Sequence, residues 1–123
     1  MDSRPDSPNP PTDVRVFQEA VESTGHAIYW TDTTGRIEYV NPAFEEQTGY
    51  TADEAIGNNA NLVQSGVHSE QFYERLWDRI LNGDVWKGQI TNERKNGERY
   101  VVKQTISPVT DDDGEILRFV AIN

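Results

Sequence analysis

The clearest helical spacing of apolar residues in the chain lies between residues 69 and 82. Its apolar positions follow the i, i+4, i+8 spacing of one helix face: Phe72, Leu76 and Ile80. Tyr73 and Trp77 widen this stripe. Ser69 can cap the start of the helix, and Asn82-Gly83 can end it. The pattern therefore predicts a helix over 69–82.

Strand patterns occupy most of the rest of the chain. They cover residues 27–32, 36–40, 85–94, 99–109 and 115–122. The turn signals between neighbouring strands are Thr33-Thr34-Gly35, Asn96-Gly97 and Asp113-Gly114. The last three strands are therefore predicted to form an antiparallel meander. With helices bunched between the two groups of strands, the order predicts an α+β domain whose helices cover one face of the sheet.

The remaining segments complete the domain plan. Residues 1–12 hold four of the six prolines and are predicted to be a disordered leader. Residues 13–25 fit a flanking helix with Val14, Phe17 and Val21 on one face. Residues 26–123 form the core of a domain spanning 13–123, with short helices beginning near Asn41-Pro42 and Thr51.

The predicted strands have two different faces. One face is apolar but carries isolated amides, since Asn92 joins Ile90 on one strand and Gln104 joins Ile106 on another. On the last strand this face holds Leu117, Phe119, Ala121 and Asn123. Such a row can be ordinary core with paired amides or the wall of a ligand cavity. The opposite face is also partly apolar, so the flanking helix, a partner subunit or both are expected to cover it.

Composition excludes several functions. The chain has 123 residues and no cysteine, which excludes thiol nucleophiles and Cys-ligated metals. Its formal net charge is −10, which argues against binding nucleic acid through phosphate neutralisation. No apolar run is long enough to span a bilayer and no signal-peptide pattern is present, so we expect a cytoplasmic location. The acidic balance, with three Lys against eight Arg, favours a high-salt cytoplasm over an ordinary acidic bacterial domain.

Motifs for catalysis or metal binding are missing from the sequence. It has no P-loop, dinucleotide-binding glycine motif or zincin motif. His26 and His68 lie 42 positions apart, and neither has a second ligand at a suitable spacing. The Asp111–Asp113 run fits a solvated turn, because the second half of a calcium-binding loop is absent. We therefore expect no enzymatic activity and no metal site.

Four stretches together resemble a known family. They are TDTTGRIEYVNPAFEEQTGY at 31–50, DEAIGNN at 53–59, EQFYERLWDRILNGDVWKGQITNERKNGERYVVKQTISPV at 70–109 and DGEILRFVAIN at 113–123. Their order and spacing resemble a PAS sensor domain over residues 14–123. The resemblance implies a PAS fold, a five-stranded antiparallel sheet with short helices and one longer helix enclosing a small pocket on one face. It also implies an input or dimerisation module of a histidine kinase, chemotaxis-type transducer or transcription regulator, with an output domain in the parent chain. From the acidic composition, we expect the source to be a halophilic archaeon.

The resemblance also allows the family's cofactors to be compared with this chain. NNANLVQ at 58–64 aligns with the flavin-adduct motif of light-oxygen-voltage domains, but Ala60 stands at the reactive cysteine. Gln64 and Asn92 match flavin-contacting positions and Asn123 partly does, whereas Val102 replaces an asparagine and Asn61 a phosphate-binding arginine. For haem, His68 lies about a turn before the ligand position, which Phe72 occupies. Both cofactors are therefore disfavoured.

Alignment with the family leaves a pocket for a small, neutral, possibly aromatic heterocyclic molecule. Its expected wall comprises Tyr29, Thr31, Phe44, Leu62, Gln64, Phe72, Leu76, Ile80, Ile90, Asn92, Val102, Gln104, Ile106, Phe119, Ala121 and Asn123. The alternatives are a ligand-free interaction module and a flavin domain without a photoadduct. For a homodimer, the expected interface comprises Val14, Phe17, Val21, Ile28, Trp30, Val101, Val120 and Ile122.

Overall fold

The computed structural model describes residues 25–123, together with Ala20 and Ser23. The predicted leader and Val14, Phe17 and Val21 of the predicted flanking helix lie outside these residues. The strands are β1 (Ile28–Thr31), β2 (Ile37–Val40), β3 (Trp86–Glu93), β4 (Arg99–Thr110) and β5 (Ile116–Ile122). The α-helices are α1 (Pro42–Thr48), α2 (Ala52–Ala55) and α3 (Glu70–Leu81), with a 3₁₀ helix at Ala60–Val63.

The five strands form one antiparallel sheet in the order β2-β1-β5-β4-β3. The predicted α+β class and the meander of the last three strands are confirmed. The meander pairs Ile90 with Val102 and Ile106 with Ala121, which brings alternate residues of three strands onto one inner face. β1 pairs with β5 through Tyr29 and Ala121, so the first strand inserts between β2 and the meander.

Asn41 joins the first hairpin to the helices. Its side-chain Oδ1 accepts hydrogen bonds of 2.9 Å from the backbone N–H groups of Ile28 and Phe44, and Nδ2 donates to the His26 carbonyl. The residue is therefore the N-cap of α1 and also a partner of the β1 backbone. Pro42 occupies the first turn, where its missing N–H has no effect.

Helix α3 packs on the inner face of the sheet. Ser69 caps it by accepting the Phe72 N–H at 3.2 Å, as the sequence predicts. Leu76 and Ile80 are buried against the sheet, and α1 contributes the fully buried Phe44. These apolar side chains form the core between sheet and helices. Within the part of the chain that the structure describes, no helix is long and apolar enough to cross a membrane.

The start of β5 differs from the expected alternation. Leu117 was expected on the inner face but is 47% exposed, whereas Ile116 packs against the core. The physical reason is a register irregularity between Val109 and Thr110 on β4, opposite this end of β5. Such a bulge shifts the side-chain alternation by one position. From Phe119 onward the expected faces hold.

Candidate ligand-binding cavity

A cavity of about 80 Å³ lies between the inner face of the sheet, helix α3 and the segment around the 3₁₀ helix. Eleven of the expected wall residues line it: Tyr29, Thr31, Gln64, Leu76, Ile80, Ile90, Asn92, Gln104, Ile106, Phe119 and Ala121. They come together because strand residues at i and i+2 share a face and helix residues at i and i+4 share a stripe. Of the amides expected on the inner face of the strands, Asn92 and Gln104 therefore lie at the cavity.

The other five expected wall residues lie elsewhere. Their positions are outside the lining of the cavity: Phe44, Leu62, Phe72, Val102 and Asn123. Phe44 lies behind the Tyr29 ring, at 5.4 Å between centroids. Asn123 turns toward α1, where its Nδ2 donates to Gln47 Oε1 at 2.8 Å. Leu62 packs against the core, and Val102 is half-buried on β4.

Phe72 faces away from the cavity because an i, i+4, i+8 series rotates around a helix of 3.6 residues per turn. Each step of four residues turns the side chain by roughly 40°, so Phe72 points well away from Ile80. The Phe72 ring instead stacks on His68, with centroids 4.0 Å apart, and contacts Trp86 edge-on. Tyr73 and Trp77 take its place in the wall.

Seven lining residues were not among the expected wall residues: Gly35, Asn59, Ala60, Asn61, Val63, Tyr73 and Trp77. Four of them belong to the segment 59–64, whose ends attach to the sheet. Arg36 bridges to Asn59, and Gln64 bridges to Asn92. The widened stripe at Tyr73 and Trp77 was a usable signal in the sequence. The non-local bridges had no local sequence signal, because pairing between an irregular segment and a strand edge depends on the tertiary fold.

The mouth of the cavity is polar and its interior is mostly apolar. The solvent-exposed lining residues are Asn59, Asn61 and Gln64. Inside, the Trp77 and Phe119 rings pack at right angles with centroids 5.7 Å apart. Among the described residues that line the cavity, none carries a formal charge at neutral pH. The cavity is therefore a neutral compartment in a chain of net charge −10.

Two buried polar side chains pair inside the cavity. Gln104 Nε2 donates a hydrogen bond of 3.1 Å to Tyr29 Oη, and both side chains are buried. Burial raises the pKa of Tyr29 to about 12, although the Gln104 hydrogen bond opposes the rise. Tyr29 therefore remains a neutral phenol, able to donate its own proton, throughout the physiological range.

The segment after the 3₁₀ helix is attached to β3. Ser65 Oγ donates to the Thr91 carbonyl at 2.7 Å, and the Thr91 N–H donates to His68 Nε2 at 2.9 Å. Two side chains thus pair with the backbone of β3 at its outer side, because β3 is an edge strand of the sheet. His68 is engaged there and does not line the cavity.

The cavity can be tested against the cofactors that the family resemblance implies. Haem does not fit, because His68 is directed at β3 and no described histidine lines the cavity. The amides of Gln64 and Asn92 match the hydrogen-bonding edge of a flavin, but sites for drug-sized ligands begin near 300 Å³. A cavity of about 80 Å³ does not admit a flavin in this conformation. Within the described residues, no cluster of three His, Asp or Glu side chains could hold a metal ion.

The outer face of the sheet carries the described residues of the expected interface. Trp30 stacks on Tyr39 with centroids 4.2 Å apart, and Ile28 is buried. Val101 is 62% exposed and Ile122 is also exposed, while Val120 is half-buried. An apolar strip of the outer face is therefore accessible on β4 and β5.

Comparison with known proteins places this geometry in a family. The PAS fold profile matches residues 15–122. A nitrogen fixation regulatory protein of Klebsiella oxytoca is 35% identical over 87% of this chain and 22% of its own length. The bacterioopsin transcriptional activator of Halobacterium salinarum is 31% identical over 86% of this chain and 16% of its own length.

The solved structure of an RNA-binding light-oxygen-voltage receptor has a TM-score of 0.85 and 25% identity. The matched region covers 99% of this chain and 35% of the receptor chain. This chain spans about a fifth of the length of the two regulatory relatives. Since the family profile matches nearly all of the sequence and the sheet, helices and cavity agree with the fold, the chain belongs to the PAS family.

Proposed function

We propose that this PAS domain is the sensory module of a larger signal-transduction protein and that it binds a small, neutral, planar molecule in the cavity. The observation that carries the proposal is the lining itself, in which apolar walls are combined with a few amides and no charged group. This combination is typical of sites that enclose a ligand and orient it by a few hydrogen bonds.

The lining supports a neutral ligand. A carboxylate or phosphate buried here would lose its hydration without gaining a cationic partner, which is strongly unfavourable. Dicarboxylates and nucleotides are therefore poor candidates. The rings of Tyr29, Trp77 and Phe119 favour an aromatic or heterocyclic ligand, since flat molecules pack well on aromatic faces.

The position of the cavity supports signalling by population shift. It contacts β1, β3, β4, β5 and α3, so a ligand with different affinities for two arrangements of these elements would shift their equilibrium. The two regulatory relatives are several times longer than this chain, which supports an output domain elsewhere in the parent protein. We place this module in the cytoplasm.

The test is to identify the occupant. The full 123-residue chain is purified without added ligand, denatured, and its released small molecules are analysed by mass spectrometry. Ala60 lines the cavity, so Ala60→Leu should plug it and remove the compound. Ala43→Leu on α1, outside the lining, is the matched control and should retain it. A wild-type protein that carries no compound and binds none in a fragment screen would contradict the proposal.

A second candidate is a flavin domain without a photoadduct. It is favoured by the amides of Gln64 and Asn92 at the cavity and by the similarity to a light-oxygen-voltage receptor. Riboflavin added to the purified chain should then show the visible absorption spectrum of protein-bound flavin. Illumination should form no thiol adduct, because position 60 is alanine. Binding would require the cavity to widen. Unchanged free-flavin spectra would exclude this candidate.

A third candidate is an interaction module that forms homodimers through the outer face of the sheet. The exposure of Val101 on this face favours it. Val101→Glu should then convert dimers to monomers in light-scattering measurements, whereas Lys103→Glu, exposed on the same strand face, should have a smaller effect. A monomeric wild-type protein would exclude dimerisation through this face.

A further inference from the structure

The Tyr29–Gln104 pair spans three strands at the inner end of the cavity. Tyr29 lies on β1 and Gln104 on β4, while β5 runs between them. The residue that Tyr29 faces on β5 is Ala121, which is small enough for the phenol ring to pass over the strand. The two polar side chains therefore meet above the apolar Ala121, within the lining of the cavity.

The hydrogen bonding of this pair is incomplete. Gln104 Nε2 donates to Tyr29 Oη, which uses one donor of the amide and one acceptor position of the phenol. The described hydrogen bonds assign no partner to Gln104 Oε1 or to the phenolic proton of Tyr29. Gln104 is only 3% exposed, and both residues line the cavity. Both groups belong to side chains that line the cavity, so a ligand there can donate to the amide oxygen and accept from the phenol.

The protonation state of Tyr29 makes it a constant donor. Burial raises its pKa to about 12, so the phenol keeps its proton at any physiological pH. Gln104 Oε1 can only accept a hydrogen bond, because an amide oxygen carries no proton. Since Gln104 Nε2 is bonded to Tyr29 Oη, the oxygen is the other end of the same amide. The pair thus presents one donor and one acceptor side by side.

We infer that Tyr29 and Gln104 determine ligand specificity by reading a cis-amide edge, in which a ring N–H donates to Gln104 Oε1 and the adjacent ring carbonyl accepts from Tyr29 Oη. The ligand class is a lactam or cyclic imide. This inference rests on the proposed sensory function and narrows its ligand from a neutral planar molecule to one with adjacent N–H and C=O groups.

Asn92 does not take part in this recognition. It pairs with Tyr100, which lies four residues before Gln104 on β4. Four residues of an antiparallel strand span roughly 13 Å along the backbone, so Asn92 and Gln104 extend from well-separated points of the sheet. Asn92 therefore belongs to the other end of the cavity, next to Gln64.

The experiment compares two probes that differ at one position. 2-Pyridone carries the ring N–H and C=O, and N-methyl-2-pyridone keeps the ring and the carbonyl but lacks the N–H. Both are titrated into the ¹⁵N-labelled 123-residue chain and followed by amide chemical shifts. We expect 2-pyridone to bind at the cavity at least tenfold more tightly than its N-methyl analogue.

Three variants separate the two contacts. Gln104→Met, similar in size, should bring the affinity ratio close to one because the acceptor for the N–H is lost. Tyr29→Phe should weaken the binding of both probes, because it removes the donor to the carbonyl that both carry. The affinity ratio between the probes should stay above one, because Gln104 still accepts the ring N–H. Thr105→Val lies on the opposite face of β4 and should change neither affinity. If a variant fails to fold, a wild-type affinity ratio close to one still overturns the inference.

The outcomes distinguish this inference from the function on which it rests. Equal binding of both probes by the wild-type chain overturns the cis-amide inference and leaves the sensory cavity intact. A natural occupant that has no N–H beside a carbonyl would also overturn the cis-amide inference and leave the sensory cavity intact. A cavity that binds neither these probes nor any other small molecule overturns both.

Discussion

Asn41 Oδ1 accepts the Ile28 N–H at 2.9 Å, and the same oxygen accepts the Phe44 N–H at the start of α1. A single amide thus fixes the angle between β1 and the first helix. It is fully buried, and Nδ2 completes the arrangement by donating to the His26 carbonyl. The orientation of Phe44, and through it of the Tyr29 ring, depends on this residue.

Replacing Asn41 with Ala should therefore be strongly destabilising. It leaves two buried backbone N–H groups and one carbonyl without this side chain, which we expect to cost about 2–4 kcal/mol of unfolding free energy. Urea unfolding followed by circular dichroism measures the loss. Asn96→Ala in the exposed β3–β4 turn is the control, at less than about 1 kcal/mol. Equal losses in the two variants would contradict the structural role of Asn41.

Gly35 limits the space at the cavity. It has φ +93°, and a Cβ there would lie 3.2 Å from Asn59 Nδ2 and 3.2 Å from Trp77 Cζ2. Gly114 has a similar φ of +85°, but a Cβ would meet nothing within 4 Å. We expect Gly114→Ala to cost about 1 kcal/mol through backbone strain alone. Gly35→Ala should cost about 1–3 kcal/mol more through crowding. Similar midpoints of urea unfolding for both variants would argue against tight packing at Gly35.

The sequence predicts the fold well where the pattern is local or strictly periodic. The helix around Leu76 and Ile80 and the meander signalled by Asn96-Gly97 depend on spacing that each segment carries itself. The register shift at Val109 could not be predicted, because a bulge depends on how two strands pair. It moved Leu117 outward and Ile116 inward.

The residues of the cavity could likewise be predicted where they lie on periodic strands and helices, and not where they depend on contacts between distant segments. Strand alternation placed Asn92 and Gln104 on the inner face, where they line the cavity. It gave no information about the docking of the segment 59–64 on the sheet, which depends on bridges to Arg36 and Asn92. Helical drift explains why Phe72 leaves the wall and Trp77 enters it.

Tyr29 should make stability fall at alkaline pH. Its folded pKa is raised from 10.0 to about 12 by burial, so the folded chain holds this proton more tightly than the unfolded chain. The stabilisation is complete below pH 10 and is lost as pH rises through 12. At about 1.4 kcal/mol per pKa unit, the loss is roughly 2–3 kcal/mol. Urea midpoints of wild type and Tyr29→Phe at pH 8 and pH 11 test this. The variant should show the smaller decline, and equal declines would assign the alkaline loss to other groups.

His68 should protect the Thr91 amide from exchange. The Thr91 N–H donates to His68 Nε2 at 2.9 Å at the outer edge of β3, where no further strand follows. His68→Phe keeps a ring to stack on Phe72 but removes the acceptor. Hydrogen exchange at Thr91 should then accelerate about three- to tenfold. Ser65→Ala is the control, since Ser65 Oγ bonds the Thr91 carbonyl and not its N–H. Unchanged exchange in His68→Phe would show that another group protects this amide.

The acidic surface should make stability depend on salt. With a net charge of −10, like charges repel in the folded state, and raising the salt from 0.1 M to 1 M shortens the Debye length from about 10 Å to 3 Å. The urea midpoint should therefore rise between 0.1 M and 2 M KCl. Neutralising four exposed carboxylates, with Glu74→Gln, Asp78→Asn, Asp112→Asn and Asp113→Asn, should reduce the rise. If the urea midpoint of this variant rises by the same amount, KCl acts by general exclusion from the protein surface and not by screening of these carboxylates. The net charge would then give no information about the salt concentration at which the protein works.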